Sequence, residues 1–384
     1  GELCIIRGDH FIAAKAPEEY NRAVLEFLNH VDFAPDIIHC NDWQTALLPI
    51  LLHAFYQQKL GAAKTIFTIH NIEYQGWAQP YFLGDVLGLS SEYENTLTYK
   101  GAINFMKGAI LTCDALTTVS RTYAQEIRYP YFAHGLSPII DEHAFKVCGI
   151  VNGIDMDGNN PASDPALSVN YTADDMSGKK ICKQALQEQL GLPVRDDVAV
   201  IGMVTRLVSH KGLDILCAVA EELMGWDIQL VILGTGDAEY EGRLRAIADQ
   251  HPDKFSLNLC FSGKLASQIY AGSDLYLMPS KSEPCGLSQL IAMRYGTVPV
   301  VHETGGLKDT VLPFNPQSEE GYGFTFQSFN GQDMLDALRR ALSVYGGDKA
   351  GWSRVVQNGM MADLSWNKPA AEYMALYTDL IKNA

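Results

Sequence analysis

Positive charge, paired cysteines and long apolar runs are all scarce in this sequence, and each shortage excludes a class of protein. The 29 Lys and Arg residues are outnumbered by 45 Asp and Glu residues, so the net charge is −16 with histidine neutral. Nucleic acids and anionic membranes attract basic surfaces, so an acidic chain is a poor general binder of either. No apolar run approaches the roughly 20 residues that a membrane-spanning helix needs. We therefore expect neither a nucleic-acid partner nor a membrane partner.

The eight cysteines are scattered, and no CxxC pair occurs among them. The two nearest, Cys260 and Cys285, are 25 residues apart, which argues against a cysteine zinc site and against a disulfide framework. An HExxH zinc motif, a GxSxG nucleophile elbow and a P-loop lysine motif are absent as well. We expect buried, reduced thiols in a cytoplasmic protein and no bound metal.

What the sequence does contain is a regular alternation of short apolar segments and amphipathic helical stretches. Hydrophobic residues make up 47% of the 384 residues, which is enough to bury cores in two to three domains. The alternation predicts parallel strands joined by crossover helices, an α/β fold. Residues 156–178 interrupt it with turn formers and acidic residues, and we interpret them as a loop or linker. The predicted strands are 36–40, 65–70, 115–120, 149–155, 198–204, 228–234, 275–280, 298–302 and 323–327. The predicted helices are 43–56, 100–112, 211–224, 238–250, one from about 286, 331–345 and 351–384.

Two basic residues directly follow one of these strands. Ligands of parallel α/β folds bind at the carboxyl ends of the strands, and Arg206 and Lys211 lie between the strand 198–204 and the next helix. Two fixed positive charges before a helix N-terminus suit a diphosphate group. The alternative is an ordinary solvated basic loop.

The segment 282–287 is the second candidate. A proline and a glycine set a tight turn before a helix, whose first N–H groups can bind an anion. A carboxylate such as Glu283 is costly beside phosphate unless it accepts hydrogen bonds from neutral hydroxyls. The segment therefore suggests a sugar ring next to a diphosphate. Alternatively, Glu283 only caps the following helix.

Further polar or glycine-rich segments follow other strands, and each has a structural alternative. Gly234, Thr235 and Gly236 form a GxG turn, which by itself is weak evidence for a ligand. Thr304, Gly305 and the glycine after them could let the backbone approach a ligand closely, or could form a tight turn. In the first half of the chain, Asp42 and His70 follow two strands. Asp42 could instead be a helix N-cap, and a single histidine is more often structural than catalytic.

In order along the chain, nine strings resemble the ADP-glucose-using bacterial glycogen synthases and plant starch synthases, which are retaining GT-B glycosyltransferases. The resemblance implies two Rossmann-like domains that face each other across a cleft. It implies an acceptor-side domain 1–155, a nucleotide-sugar-binding domain 156–365, and a C-terminal helix 366–384 that returns to the first domain. Members of the family begin with a strand and a lysine-containing KTGGL-type loop. Nothing similar precedes Asp36, so we expect an N-terminally truncated and incomplete first domain. The strings are HCNDWQTALLP, FTIHNIEYQG, YKGAINFMKGAI, TVSRTYAQEI, GIVNGID, TRLVSHKGLD, IYAGSD, EPCGLSQL and TGGLKDTV.

The resemblance also implies a role for each candidate. Arg206 and Lys211 are similar to the pair that neutralises the leaving diphosphate, and Glu283 to the carboxylate near the transferred glucose. Asp42 and His70 are similar to residues that face the donor sugar. A related family has a second glutamate eight residues after the first, where this chain has Ile291, which favours the glycogen and starch synthases. The remaining substrate-binding candidates are Asn152, Gly234, Thr235, Gly236, Phe261, Cys285, Gly286, Leu287, Thr304 and Gly305.

The expected activity is transfer of glucose from ADP-glucose to the non-reducing end of an α-1,4-glucan such as glycogen or starch, with retention of configuration. No cofactor is implied beyond the donor substrate, and the oligomeric state is left open. Two alternatives remain: a related GT-B enzyme that uses UDP-glucose, and a non-catalytic fragment that binds donor or glucan. The expected location is the bacterial cytoplasm, with the plastid as the alternative.

Overall fold

The computed structural model describes residues 16–382, which divide into two compact units. The first unit contains residues 16–151 and 369–382, and the second contains residues 152–368. The chain therefore leaves the first unit once and returns to it with its last helix. None of the helices in residues 16–382 is long and apolar enough to cross a membrane.

The first unit is built on a parallel sheet of four strands in the order β1-β2-β6-β7. Its core is formed by apolar residues of β1, β2 and β6 and of the helices that pack on them. The parallel strands are β1 (Ile37–Asn41), β2 (Lys64–Ile69), β6 (Ala115–Thr118) and β7 (Val147–Gly149). A small antiparallel sheet holds β3 (Trp77–Ala78), β4 (Thr98–Tyr99) and β5 (Ala102–Asn104). The helices are α1 (Pro17–His30), α2 (Leu47–Phe55), α3 (Gln57–Leu60), α4 (Glu94–Leu97), α5 (Phe105–Thr112), α6 (Arg121–Glu126) and α7 (Ser137–Glu142).

Two predictions for this unit are wrong in detail. Residues 98–104 form the hairpin β4–β5 rather than the start of a helix, which begins only at Phe105. The hairpin turns at Lys100 and Gly101, both with positive φ (50° and 79°), as two-residue hairpin turns require. The predicted strand 149–155 is instead β7, which ends at Gly149. A Cβ on Gly149 would lie 2.1 Å from the carbonyl oxygen of Ser120, so only glycine allows this close approach.

A buried polar network joins the last helix of the chain, α17 (Asn367–Lys382), to the first sheet. His39 of β1 lies at its centre, with Nδ1 2.7 Å from the hydroxyl of Tyr377 and Nε2 2.6 Å from Oγ1 of Thr68. Thr68 in turn shares a hydrogen bond with Thr117 of β6. The Tyr373 ring packs 5.5 Å from the imidazole. The imidazole, together with the hydrogen bonds between Tyr373 and both Thr68 and Thr117, therefore holds α17 against three neighbouring strands.

We predict that acid weakens this attachment through His39. Burial and the nearby charge of His70 lower the pKa of His39 from its ordinary 6.5 to about 4. The unfolded chain therefore binds a proton that the fold rejects, so this stabilisation is complete above pH 6.5 and is lost as pH falls toward 4. At about 1.4 kcal/mol per pKa unit, up to about 3 kcal/mol is lost. The free energy of unfolding, measured with denaturant at pH 7, 5.5 and 4, should decrease more steeply with falling pH in the wild type than in His39→Gln. An equal decrease in both proteins would contradict the role given to His39.

The second unit contains a six-stranded parallel sheet in the order β10-β9-β8-β11-β12-β13. Counted within the unit this is the order 3-2-1-4-5-6, the doubly wound Rossmann arrangement. The strand order reverses between β8 and β11, which pair directly through Leu275 and Ile201. Ligands of such sheets bind at the carboxyl ends of the two strands at this reversal. The strands are β8 (Ala199–Val204), β9 (Ile228–Leu233), β10 (Phe255–Asn258), β11 (Leu275–Met278), β12 (Val298–His302) and β13 (Phe324–Phe326).

The second unit contains helices that the sequence pattern does not predict. The predicted helix 211–224 is divided into a 3-10 turn and two short helices. The helix α8 was not predicted, because its buried face includes Lys183, whose ammonium lies 2.8 Å from a carboxylate oxygen of Asp274. The helices are α8 (Ser177–Gln189), α9 (Leu213–Ala218), α10 (Ala220–Met224), α11 (Ala238–Gln250), α12 (Gly263–Gly272), α13 (Ser288–Arg294), α14 (Gly305–Thr310), α15 (Gly331–Gly347) and α16 (Lys349–Met361).

Candidate active site

A buried ion pair lies where the strand order of the second sheet reverses. Lys211 follows β8 and Glu283 follows β11, and the lysine Nζ is 2.6 Å from a carboxylate oxygen of Glu283. The same oxygen accepts a hydrogen bond of 3.0 Å from the hydroxyl of Ser280. The side chains are only 15% and 9% exposed. Sequence reasoning singled out both residues separately, and the structure brings them into direct contact.

The pair borders a small cavity of about 50 Å³ between the ends of the two strands. Thr205, Gly286 and Leu287 are among the other residues that line it. The turn at Gly286 has φ 71°, a conformation that favours glycine. Glu283 is thus turned toward Lys211 and the cavity rather than serving as a helix cap, since the following helix α13 begins only at Ser288.

Arg206 lies on the exposed loop between β8 and Lys211. The turn 234–236 after β9 supports this loop, because Leu207 donates its N–H to the carbonyl of Thr235 at 2.9 Å. A Cβ on Gly234 would lie 1.8 Å from the carbonyl oxygen of Thr205, and one on Gly236 would lie 2.3 Å from that of Leu207. These glycines therefore make room for the loop that carries Arg206. A part for them in ligand binding stays a prediction.

The glycines after β12 support the Glu283 loop in the same way. Gly306 donates its N–H to the carbonyl of Glu283 at 3.0 Å. Added Cβ atoms would lie 2.0 Å from the Glu283 carbonyl oxygen at Gly305 and 2.0 Å from the Cys285 carbonyl oxygen at Gly306. Thr304 and Gly305 are buried beneath this contact. The sequence suggested a ligand or a tight turn at these glycines, and in the structure the backbone of residues 283–285 makes the close approach. Their part in ligand binding likewise stays a prediction.

We predict that Gly306→Ala lowers the activity of this site about 10²-fold while the protein stays folded. The added methyl group must push the 283–285 backbone away, and a displacement near 1 Å at a reacting centre costs about that factor. Gly242→Ala is the matched control, because it lies inside α11 with no atom within 4 Å of the added methyl. The control should keep full activity and gain up to about 1 kcal/mol of stability. Equal activity in the two variants would show that the contact between Gly306 and the 283–285 backbone does not matter for activity.

Four other predicted residues of the second unit, Asn152, Cys285, Leu287 and Phe261, differ in their surroundings. A hydrogen bond from the backbone of Asn152 reaches the thiol of Cys285, and burial raises the pKa of that thiol to about 11. The thiol is therefore protonated at neutral pH and is not a nucleophile. Leu287 is 45% exposed beside the cavity, whereas Phe261, after β10, is 99% exposed.

In the first unit, Asp42 and His70 meet at the carboxyl ends of β1 and β2. The backbone N–H of His70 donates to Oδ1 of Asp42 at 2.8 Å. The imidazole Nε2 of His70 is 2.9 Å from Oδ1 of Asn41, a residue that sequence reasoning missed although it precedes Asp42. Asp42 occupies the N-cap position of the 3-10 turn Trp43–Thr45, but its side chain makes no capping hydrogen bond there. Its backbone has φ 58° and ψ 177°, a region almost restricted to glycine. Strain of this kind is concentrated at functional sites.

Comparison with known proteins finds a family match in each half of the chain. Residues 10–142 match the starch synthase catalytic domain, and residues 186–349 match the glycosyl transferases group 1. The glycogen synthase of Clostridium novyi (strain NT) is 47% identical over 94% of this chain and 76% of its own length. The glycogen synthase of Caldicellulosiruptor saccharolyticus is 48% identical over 94% of this chain and 77% of its own length.

Solved structures agree with these relatives. The catalytic domain of starch synthase IV from Arabidopsis thaliana, solved with ADP and acarbose, has a TM-score of 0.89 and 37% identity. It covers 98% of this chain, which in turn covers 79% of that domain. A sucrose-phosphate synthase from Thermosynechococcus elongatus has a TM-score of 0.61 at 19% identity over 100% of this chain and 82% of its own, which supports the fold alone. The expected α/β fold with two Rossmann-like units is confirmed.

Proposed function

The chain belongs to the glycogen and starch synthase family of GT-B hexosyltransferases, and from this premise we propose its donor, its acceptor and the residues that act on them. The donor is ADP-glucose, the acceptor is the non-reducing end of an α-1,4-glucan, and the product keeps the α configuration. The first support is that the bacterial relatives are themselves glycogen synthases by name. The second is the starch synthase that was solved with ADP.

The observation that carries the site assignment is the buried pair of Lys211 and Glu283 at the strand reversal. Lys211 shares one carboxylate oxygen of Glu283 with the hydroxyl of Ser280, so it can turn part of its charge toward a phosphate oxygen. Glu283 then accepts hydrogen bonds from the hydroxyls of the sugar. The Lys211 ammonium and the Glu283 carboxylate thus both gain hydrogen-bond partners, which buried charges need because water is excluded. Arg206, on the neighbouring loop, adds a second positive charge for the diphosphate.

The chemistry we propose is electrostatic. As the glycosidic bond of the donor lengthens, negative charge grows on the departing ADP and positive charge grows on the sugar. Arg206 and Lys211 stabilise the first of these charges, an effect that is strong where water is excluded. Ile291 occupies the position of the second glutamate in the related family, so we assign no carboxylate nucleophile there. The departing phosphate takes the proton of the acceptor hydroxyl on the face that it leaves, which retains the configuration.

Asp42 and His70 supply polar groups of the first unit in this proposal. The N–H of His70 is already used by Asp42, so the imidazole is the part of His70 that we assign to the sugar. Asn41 holds the imidazole through Nε2. Asp42 contributes its second carboxylate oxygen to a sugar hydroxyl. Asn152 and the backbone of 285–287 complete the proposed sugar and phosphate cradle.

The test is transfer of labelled glucose from ADP-glucose to glycogen, with UDP-glucose measured in parallel. We expect incorporation from ADP-glucose in excess over UDP-glucose, and release of the label by an exo-acting enzyme specific for α-1,4 bonds. Incorporation from UDP-glucose alone would show that the donor is UDP-glucose and not ADP-glucose. Binding of ADP without any incorporation would overturn the proposed activity of this chain.

We also propose a reducing, cytoplasmic location in a bacterium. The curated relatives cited above are bacterial, and the seven cysteines within residues 16–382 are free thiols. Most of them are buried, as expected for thiols that pack as small apolar side chains.

A further inference from the structure

One glutamine of the second unit is fully buried next to the turn that forms part of the candidate active site. Gln289 lies in the first turn of α13. Its side-chain nitrogen Nε2 donates to the carbonyl oxygens of Cys285 at 3.1 Å and Gly286 at 2.8 Å. Both carbonyls precede the helix, whose backbone hydrogen bonds begin at the carbonyl of Leu287. Gln289 therefore reaches back to hold the turn that leads into its own helix.

The same amide joins this turn to the neighbouring helix α14. Nε2 of Gln289 also donates to Oγ1 of Thr310, the last residue of α14, at 2.9 Å. The hydroxyl of Thr310 in turn donates to the carbonyl of Gly306 at 2.6 Å. Gly306 is the residue whose N–H supports the carbonyl of Glu283. Connected hydrogen bonds thus hold the turn from both helices.

The oxygen of the Gln289 amide faces Gly286. A Cβ on Gly286 would lie 2.5 Å from Oε1 of Gln289, so the contact requires a glycine there. Oε1 has no hydrogen-bond partner among residues 16–382, and a buried amide oxygen in that state destabilises a fold. Reversing the amide would place Oε1 against two carbonyl oxygens, which repel it. The side chain is therefore held in the orientation that fixes the turn, although its own oxygen stays unsatisfied.

Peptide geometry carries this contact through to the cavity. The C=O and N–H groups of a trans peptide point in opposite directions. Since the carbonyls of Cys285 and Gly286 point toward Gln289, the N–H groups of Gly286 and Leu287 point away from it. Gly286 and Leu287 both line the cavity beside the buried ion pair. Gln289 therefore sets the direction of two backbone donors at the cavity, and donors of this kind can bind an anion.

We propose that Gln289 is a positioning residue for the diphosphate of the donor. The inference rests on the proposed function, in which the backbone of residues 285–287 holds the donor. Gln289 touches no substrate and acts through the two peptide groups that it holds. Their N–H groups stay aimed at the phosphate oxygens while negative charge grows there, so the site needs no reorganisation during the reaction. Without the amide, the peptide groups on either side of Gly286 can rotate, because glycine is conformationally permissive.

Binding of ADP in the absence of acceptor tests this inference separately from transfer. Gln289→Met keeps nearly the length of the side chain but removes its hydrogen-bond donor. We expect the Kd for ADP, measured by titration calorimetry, to rise about 10- to 100-fold, because hydrogen bonds to ionised groups are strong. The KM for ADP-glucose should rise and kcat should fall, whereas the KM for glycogen should stay unchanged. A general loss of structure would not separate the donor from the acceptor in this way.

Gln187→Met is the matched control, because Gln187 is also fully buried in the second unit. Its side-chain nitrogen donates to the carbonyl of Arg195 at 3.1 Å and to the side chain of Gln229 at 2.8 Å. Arg195 precedes β8 and Gln229 lies near the start of β9, so both partners lie at the edge of the sheet opposite the cavity. This variant should lose stability, as Gln289→Met does, but bind ADP as the wild type does.

Thr310→Val is a milder second variant that keeps the shape of the side chain and removes only the hydroxyl that anchors Gln289. It should raise the Kd for ADP about 2- to 5-fold, and it decides the question if Gln289→Met does not fold. Wild-type affinity for ADP in the folded variants, or equal losses in Gln289→Met and Gln187→Met, would overturn the inference. The expected losses of ADP affinity in a protein that transfers no glucose would support the inference and overturn only the proposed function.

Discussion

Replacing Lys211 by methionine is expected to lower kcat for glucose transfer about 10²–10³-fold, the usual loss when one pre-organised donor to a developing anion is removed. The same change should destabilise the fold. Glu283 is 9% exposed at its side chain, and without Lys211 it keeps Ser280 as a hydrogen-bond donor but loses the ammonium that lies 2.6 Å from its carboxylate. Removing one member of a buried ion pair costs about 3–5 kcal/mol. Steady-state kinetics with ADP-glucose and denaturant unfolding measure the two effects.

The double variant Lys211→Met with Glu283→Gln separates catalysis from stability. A neutral amide at position 283 has nearly the shape of the carboxylate and still accepts from Ser280, so most of the lost stability should return. Activity should not return, because the positive charge toward the diphosphate is still missing. Recovery of transfer in the double variant would show that Lys211 acts only by neutralising Glu283. Wild-type kcat in Lys211→Met would remove the lysine from the mechanism.

The position of these two residues could be predicted from the sequence, but their contact could not. Each follows an apolar strand, and the carboxyl ends of parallel strands are where ligands bind. Whether two such residues meet depends on which strands are neighbours. β8 and β11 are separated in the chain by two other strands of the sheet, β9 and β10. That adjacency follows from the order of the whole sheet, which no local pattern encodes.

The glycines show a second limit. Their sequence context suggested ligand contact or a tight turn, and in the structure Gly234 and Gly306 lie against the backbone of neighbouring loops. These are the loops that carry Arg206 and Glu283. Since a glycine reports only that space is short, a single sequence cannot say whether a ligand or the protein fills it.

Helix α8 shows a third limit, because its buried face contains charge. Apolar periodicity predicts helices only where the buried residues are apolar. Lys183 is 5% exposed and is satisfied by Asp274, the carbonyl of Val198 and the hydroxyl of Tyr345. Those partners come from distant parts of the chain. When a lysine occupies a buried position of a helix, the sequence pattern therefore predicts a polar loop, because the partners of the lysine are known only from the fold.

The second large effect is expected at Asp42, where function and backbone strain meet. Asp42→Asn keeps an oxygen for the N–H of His70 but loses the negative charge proposed to face the sugar, so kcat should fall about 10²-fold at nearly unchanged stability. Asp42→Gly and Asp42→Ala should both lose activity to a similar or larger extent. Wild-type activity in Asp42→Asn would remove the carboxylate from the proposed site.

The stability of the last two variants should differ, because the backbone at this position has φ 58° and ψ 177°. Both variants lose the hydrogen bond to His70, but only alanine keeps the Cβ that is strained in this conformation. Glycine should therefore be the more stable of the two by about 1–3 kcal/mol, seen as a higher melting temperature. Equal stability would mean that the strain is not there. If Asp42→Gly is more stable than the wild type but less active, glycine suits the fold better than aspartate at position 42. The strained aspartate would then be retained because the reaction needs its carboxylate.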